Sequence, residues 1–237
     1  DIAGEGGLVW IKARTSSIGA GHILGTPGAA YVLKTESTGY NWSSLASMYT
    51  AFNSDGYAIT DNSNVNENNY DFASWTFRKA KKFFDVVTYT GTGSAHTIAH
   101  NLGSTPGFIV VKDTSATWNW ITYHTSLGAT KHQYLNGTKA AETGTGYWND
   151  TEPTDSVFSV GTYGQINTLG NTYVAYIFAS DAGGYGDDGS ENIIKCGSYT
   201  GNGSTTGPVI DCGFEPQWLL IKASAVSTGN WYMYDSM

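Results

Sequence analysis

The sequence predicts an all-β protein made of tandem antiparallel β-sandwich repeats of the jelly-roll or lectin-like kind. Short runs of Val, Ile, Tyr, Phe, Trp and Thr alternate with Gly, Asn, Asp and Ser along the 237 residues, which is the pattern of strands joined by turns. Similar segments also recur at intervals of 100 and 110 residues. A repeat of that length, with many short strands, is typical of an antiparallel sandwich.

The repeat is clearest in three apolar runs that each end in lysine. These runs are LVWIK, FIVVK and WLLIK, and they end at Lys12, Lys112 and Lys222. The turn motif Tyr-Thr-Gly-x-Gly-Ser begins 23 residues before the second and third lysines, at Tyr89 and Tyr199. We predict that each lysine ends a strand, with its aliphatic stem along the sheet and its ammonium group in solvent.

The predicted organisation is a first repeat over residues 1–82, a second over 83–182 and the start of a third over 183–237, or a circularly shifted version of these boundaries. Residues 181–189 are rich in Gly and Asp, which predicts a linker or an inter-repeat loop. Residues 42–52 carry apolar side chains at helical spacing, which predicts a short helical turn. Because the chain starts without Met and stops in mid-pattern, we expect it to be a piece of a longer protein.

Composition and charge narrow the class of protein. Charged residues make up 14% of the chain and aromatic residues also 14%, so we expect a surface of neutral polar residues, as in extracellular adhesins, carbohydrate binders and virion proteins. The net charge of −8 argues against nucleic acid as a partner. The basic cluster at residues 78–82 is predicted to guard a strand end. No run of 18 apolar residues occurs, so we expect no membrane insertion.

The two cysteines leave two alternatives open. Cys196 and Cys212 form one disulfide, or both are buried thiols. In the repeat alignment they occupy the positions of Val86 and Leu102, which favours buried thiols.

Candidate catalytic patterns are weak. His96 and His100 lie on a predicted strand, where an i, i+4 pair is about 13 Å apart and cannot share a zinc ion. A turn over residues 100–103 that caps the next strand explains them better. No carboxylate pair or Ser-His-Asp pattern has catalytic spacing. Since the recurring residues are apolar, aromatic or glycine, together with one lysine, we predict a protein that is not an enzyme and has no cofactor.

Calcium is the metal alternative, because loop-rich extracellular β domains often bind it. One candidate set is Asp187, Asp188 and Glu191, and a second is Asp55 with Asp61. Neither set has the ligand spacing of an EF-hand. The alternative interpretation is that both are solvated loops.

Aromatic residues are the candidates for binding sugar, because their faces stack on carbohydrate CH groups. Trp118, Trp120, Tyr147 and Trp148 are the predicted glycan platform. Trp120 recurs as Trp231, so the alternative for these two is packing in the core or between repeats. Trp118 and Trp148 lie in a variable loop region and are expected to be exposed.

Several motifs together resemble an uncharacterised tandem β-domain family of virion-associated and tail-fibre-like proteins of marine and cyanobacterial phages. They are GLVWIKAR, FNSDGYAI, SWTFRKA followed by FFDVVTYTGTG, HNLGSTPGFIVVK, YWNDTEPT, GDDGSENIIKCGSYTGNGST and GFEPQWLLIK. The resemblance implies a β-sandwich repeat in a large phage structural protein, with no catalytic residues to carry over.

Two functions are therefore expected from the sequence. The first is a virion structural protein, a fibre or decoration component whose expected partners are other virion proteins and copies of itself. The second is an adhesin module that binds host surface glycans through exposed aromatic residues.

Overall fold

The computed structural model describes residues 2–15 and 22–236. Strands make up 37% of it and helices 8%, and its several sheets are antiparallel with no barrel. The prediction of an all-β sandwich fold is confirmed. Among the described residues, no helix is long and apolar enough to cross a bilayer.

The first sheet contains five strands in the order β4-β3-β2-β1-β7. A separate hairpin is formed by β5 and β6. The elements of this part of the chain are α1 (Ile2–Glu5), β1 (Gly7–Ala13), β2 (Ile23–Gly25), β3 (Tyr31–Lys34), β4 (Ser43–Ser44), a 3-10 helix (Leu45–Ser47), β5 (Tyr49–Phe52), β6 (Tyr57–Ile59), α2 (Ser63–Asn66) and β7 (Phe72–Arg78). The helical turn predicted within residues 42–52 is present as the 3-10 helix, and the segment continues as strand β5.

The second sheet contains six strands in the order β13-β12-β11-β10-β15-β8, and β14 pairs with β9 beside it. The elements are β8 (Phe84–Thr90), β9 (His96–Ala99), β10 (Pro106–Asp113), β11 (Ile121–His124), β12 (Lys131–Tyr134), β13 (Glu142–Thr143), α3 (Thr145–Trp148), β14 (Val157–Val160), α4 (Gly164–Asn167) and β15 (Thr172–Ala179). The third sheet is a hairpin of β16 (Trp218–Lys222) and β17 (Trp231–Asp235). Each sheet takes its strands from one predicted repeat.

The three sheets share one hydrophobic core, because alternate residues of each strand point to the same side. On β1 and β10 the residues that point to this core are Leu8 and Trp10, and Phe108 and Val110. The third hairpin packs against the same cluster. The shared core consists of Leu8, Trp10, Leu24, Leu33, Phe77, Phe84, Phe108, Val110, Trp120, Val174, Tyr176 and Phe178, with Trp218, Leu220, Trp231 and Met233 among the residues packed against it.

The opposite faces of the first two sheets are covered by their own repeats. Val9 and Ile11 of β1 pack with residues around α2, including Val65. Ile109 and Val111 of β10 lie in a larger cluster. In the third hairpin the corresponding face is largely open, since Leu219, Tyr232 and Tyr234 are 37%, 53% and 56% exposed.

Both cysteines are free thiols. Cys196 is partly buried and packs against the shared core, and desolvation raises the pKa of Cys196 to about 12. Cys212 is only partly buried. The Gly- and Asp-rich tract forms an inter-repeat loop in which Tyr185 pairs with Glu191.

Candidate functional site

The four residues of the predicted glycan platform do not form one exposed surface in the structure. Trp118 is 40% exposed, as expected. Tyr147 and Trp148 are only 4% and 2% exposed, because α3 turns both side chains into the core of the second repeat. The expectation that Trp148 is exposed is therefore wrong. Trp120 is fully buried in the shared core, which agrees with the alternative of core packing.

A network of side-chain amides holds the segment that carries Trp118. Asn119 Nδ2 lies 3.3 Å from Gln165 Oε1, and Gln165 Nε2 donates to the Tyr147 hydroxyl at 3.0 Å. Tyr163, 46% exposed, precedes α4 and contacts the Tyr147 ring edge-to-face. The exposed Trp118 thus adjoins one end of this hydrogen-bonded network, and the exposed Tyr163 packs on the other.

The calcium candidates do not form a ligand set. Asp188 Oδ1 accepts hydrogen bonds from the backbone N–H and the hydroxyl of Ser190, which lower the pKa of Asp188. Glu191 is held in a main-chain bridge to Tyr185. Asp55 and Asp61 are exposed. Across residues 2–15 and 22–236, no three His, Cys, Asp or Glu side chains are placed to hold a metal ion.

The two spaced histidines have separate structural roles. His96 Nδ1 lies 3.0 Å from the Thr92 hydroxyl in the turn before β9. His100 is 5% exposed, and its Nδ1 accepts a hydrogen bond from the backbone N–H of Leu102 at 3.3 Å. This bond closes the turn that was predicted over residues 100–103.

The strand lysine of the second repeat is buried, and the prediction that its ammonium group lies in solvent is wrong. Lys112 is fully buried, and its Nζ donates to the carbonyls of Thr38 and Trp118 at 3.0 and 2.9 Å. Burial lowers the pKa of Lys112 to about 8, and Asp113 partly opposes this shift. One of the two acceptors belongs to the first repeat, so the lysine joins two repeats.

Trp120 makes a second bond to the same loop. Because Ile121 pairs with Val111, Trp120 stands beside Lys112 at the end of the β10–β11 hairpin. Its Nε1–H is shared between the carbonyls of Lys34 and Ser37, at 3.0 and 3.1 Å. We call residues 34–38 the first linking loop. The hydrogen bonds that this loop accepts from Lys112 and Trp120 are called the inter-repeat contact.

The same contact recurs between the second and third repeats. Lys222 pairs with Trp231 across the β16–β17 hairpin. Lys222 Nζ donates to the carbonyl of Thr138 at 3.2 Å, and Trp231 Nε1 donates to the carbonyl of Tyr134 at 2.9 Å. Residues 134–138 are therefore a second linking loop. The acceptors Tyr134 and Thr138 lie 100 residues after Lys34 and Thr38, which are acceptors in the first linking loop.

A cavity of about 680 Å³ lies where the three repeats meet. Its walls come from β1, from the second linking loop and from β17, and one rim is closed by Arg14 and Asp235, whose charged atoms are 3.5 Å apart. The lining includes Trp10, Lys12, Arg14, His22, Glu36, Trp75, Asn136, Thr138, Asn230, Trp231, Tyr232, Tyr234 and Asp235.

Sequence patterns did not predict the inter-repeat contact, although one signal for it was present. Lys12, Lys112 and Lys222 were the recurring polar residues of the repeat, and a polar residue that recurs among apolar ones needs a partner. The partners are main-chain carbonyls, which a sequence does not display.

Comparisons with known proteins give one match. No curated protein matches the chain, and no solved structure matches it. The model of one protein family, described as "Domain of unknown function (DUF7483)", matches residues 2–237. Because this match covers nearly every residue, the chain belongs to the DUF7483 family.

Proposed function

We propose that this chain is a non-catalytic structural component of a phage virion, belonging to a fibre or to a capsid decoration. The observation that carries the proposal is the inter-repeat contact, which is built twice from equivalent residues. In both places a linking loop of one repeat accepts hydrogen bonds from the lysine and tryptophan of the next. A contact of this kind joins repeats in series, as proteins of repeated architecture require.

The chemistry of the recurring polar residues supports a structural role. Lys112 donates to two main-chain carbonyls, and a buried donor with such partners orders the chain around it. The resemblance to phage virion and tail-fibre-like proteins supports the location. Expected partners are other virion proteins and copies of the chain itself.

The proposal is tested by locating the protein on phage particles whose genome encodes it. Antibodies raised against the chain should decorate fibres or the capsid surface in electron micrographs, and mass spectrometry should find the protein in purified particles. A protein found only in lysates of infected cells, and absent from washed particles, would contradict the proposal.

A second candidate function is binding of host surface glycans, and one observation favours it. Trp118 and Tyr163 are both exposed and are held by the network through Asn119, Gln165 and Tyr147. Exposed aromatic rings on two preorganised loops, beside side-chain amides, are suited to stacking on sugar rings with little ordering cost.

Glycan-array binding tests this candidate. If the patch binds sugar, Trp118→Ala should lower binding at least about ten-fold, which corresponds to about 1.4 kcal/mol. Tyr31→Ala is the matched control, because Tyr31 is 47% exposed and lies in the first repeat, away from this network. Equal loss in both variants, or no glycan binding by the unmodified chain, would count against the candidate.

A further inference from the structure

Two Asn-Gly pairs occur in the chain, and the structure holds them in opposite ways. They are Asn136-Gly137, in the second linking loop, and Asn202-Gly203, in the Tyr-Thr-Gly-x-Gly-Ser turn of the third repeat. The side-chain amide of an asparagine is open to attack by the backbone nitrogen of a following glycine, because glycine has no Cβ atom to crowd the approach. The two pairs therefore allow a comparison of reactivity within one molecule.

The first pair is fixed by hydrogen bonds. Asn136 Oδ1 accepts a hydrogen bond from the backbone N–H of Trp120 at 2.9 Å, and Asn136 Nδ2 donates to Asn119 Oδ1 at 2.9 Å. The backbone N–H of Gly137, which would have to lose its proton before attacking, donates to the carbonyl of Tyr134 at 3.2 Å. The amide and the attacking nitrogen are both held, so this pair can react only when the loop opens.

The second pair is exposed and lies in a stretch, residues 192–204, that forms no helix or strand. Asn202 Oδ1 accepts a hydrogen bond from the backbone N–H of Ser204 at 3.0 Å. A donor on this oxygen stabilises the negative charge that develops there when the amide is attacked. Within the part of the chain that the structure describes, no group accepts a hydrogen bond from the N–H of Gly203. Outside its chain neighbours, no atom lies within 4 Å of a Cβ at Gly203, so the attack is not hindered.

The equivalent turn of the second repeat does not contain such a pair. Thr92 stands at the position of Asn202, and a threonine has no side-chain amide to be attacked. That turn is also tied to α4, because Asn167 accepts hydrogen bonds from the backbone N–H groups of Thr92 and Gly93. Among these two turns, the reactive pair is therefore found only in the third repeat.

We propose that Asn202-Gly203 is a site of spontaneous deamidation. The backbone nitrogen of Gly203 loses its proton to hydroxide and forms a bond to Cγ of Asn202. The bond between Cγ and Nδ2 then breaks, and Nδ2 takes a proton from water and leaves as ammonia, so that a succinimide ring remains. One water molecule opens the ring at either carbonyl and gives aspartate or isoaspartate. The site thereby gains a negative charge. This inference goes beyond the virion proposal and does not depend on it.

Peptide mapping by mass spectrometry tests the site in the full chain, after incubation at mildly alkaline pH. The folded protein should lose the amide of Asn202 at least about ten-fold faster than that of Asn136, which corresponds to about 1.4 kcal/mol between the two activation barriers. Aspartate and isoaspartate products, which separate chromatographically, should both appear, since both arise from the ring. In urea the two rates should approach each other, because the hydrogen bonds that hold Asn136 are lost.

Two variants separate the chemistry from the fold. Asn202→Gln should yield almost no product at this site during the same incubation, because a glutamine has to close a larger and slower-forming ring. Asn119→Ala removes the acceptor of Asn136 Nδ2 and should raise the rate at Asn136 several-fold, with the rate at Asn202 unchanged. The proposal would be overturned by an intact Asn202 in the folded chain, by equal rates at Asn136 and Asn202 before urea is added, or by aspartate without isoaspartate.

Discussion

The hairpins β10–β11 and β16–β17 have equivalent sequences but different surroundings. Every residue of β10 is buried, because the shared core covers one face and the second repeat covers the other. On β16–β17 only the face toward the shared core is covered, and Tyr232 and Tyr234 on the other face are exposed. Both hairpins nevertheless make the same contact with the preceding linking loop. The inner face and that contact are therefore enough to position a hairpin, and the outer layer adds stability.

The largest effect should come from the tryptophans of the two inter-repeat contacts. Trp120 is fully buried and Trp231 only partly, so Trp120→Ala should lower the free energy of unfolding by about 3–5 kcal/mol and Trp231→Ala by about 1–2 kcal/mol. Urea denaturation measures both values. Trp118→Ala, at an exposed position, is the control and should cost less than about 1 kcal/mol. Equal costs for Trp120 and Trp231 would contradict the expectation that the more deeply buried contact is the more stabilising one.

A second comparison uses two equivalent glycines of the Tyr-Thr-Gly-x-Gly-Ser turns. A Cβ atom at Gly91 would overlap the backbone carbonyl of Thr168, whereas no atom lies within 4 Å of a Cβ at Gly201. Gly91→Ala should therefore destabilise the protein by about 1–3 kcal/mol through overpacking, and Gly201→Ala should change stability by less than about 0.5 kcal/mol. Thermal unfolding of the two variants provides the measurement, and a larger cost for Gly201→Ala would contradict the predicted overpacking at Gly91.

The third comparison concerns Lys112 and Lys222 and the way each makes the stability of the protein depend on pH. The pKa of Lys112 is about 8 in the folded protein and about 10.4 in the unfolded chain. Between these values the unfolded state binds the extra proton, so stability rises with pH. Relative to Lys112→Met, the wild-type protein should gain about 1.5 kcal/mol from pH 8 to 9.5.

Burial also lowers the pKa of Lys222, but this side chain is partly exposed, so the comparison with Lys222→Met should show a smaller gain. Denaturant titrations at several pH values measure both. If the stability of Lys112→Met changes with pH in parallel with that of the wild type, the lowered pKa of Lys112 is contradicted.

The smallest predicted effect is the loss of stability that histidine protonation causes at acid pH. It is confined to the first two repeats, since residues 183–237 contain no histidine. His132 is 3% exposed, and burial lowers its pKa to about 4 although Glu142 opposes the shift. The unfolded chain binds the proton near pH 6.5, so stability is lost as pH falls from 6.5 toward 4. His132→Gln should remove about 1 kcal/mol of the loss between pH 6.5 and 5.5. An unchanged slope in this variant would exclude His132 as the source.

Much of the fold could be predicted because repetition and alternation are sequence properties. Leu8 and Trp10 alternate with Val9 and Ile11, which indicates a strand covered on both sides. Which side meets another repeat could not be predicted, since both sets are apolar. The answer depends on contacts such as the one between Trp10 and Trp218, whose rings are 6.4 Å apart.

The candidate site was predicted less well, for two physical reasons. Tyr147 and Trp148 stand among polar residues, but the Tyr147 ring packs on His132, with centroids 3.7 Å apart, and is buried by that long-range contact. Lys112 was expected in solvent because its acceptors, the carbonyls of Thr38 and Trp118, belong to the main chain. Side-chain chemistry can be identified in a sequence, whereas carbonyl positions require the fold.

The inter-repeat contacts join residues that are far apart in the sequence, and this has a consequence for synthesis on the ribosome. Trp120 binds a carbonyl 86 residues earlier in the chain, and Trp231 one 97 residues earlier. At typical elongation rates each linking loop therefore emerges on the order of ten seconds before its partner. During that interval the loop and the inner face beside it lack their partner surface. We expect the repeats to fold in order from the N-terminus, each newly made hairpin docking on the repeat that was completed before it.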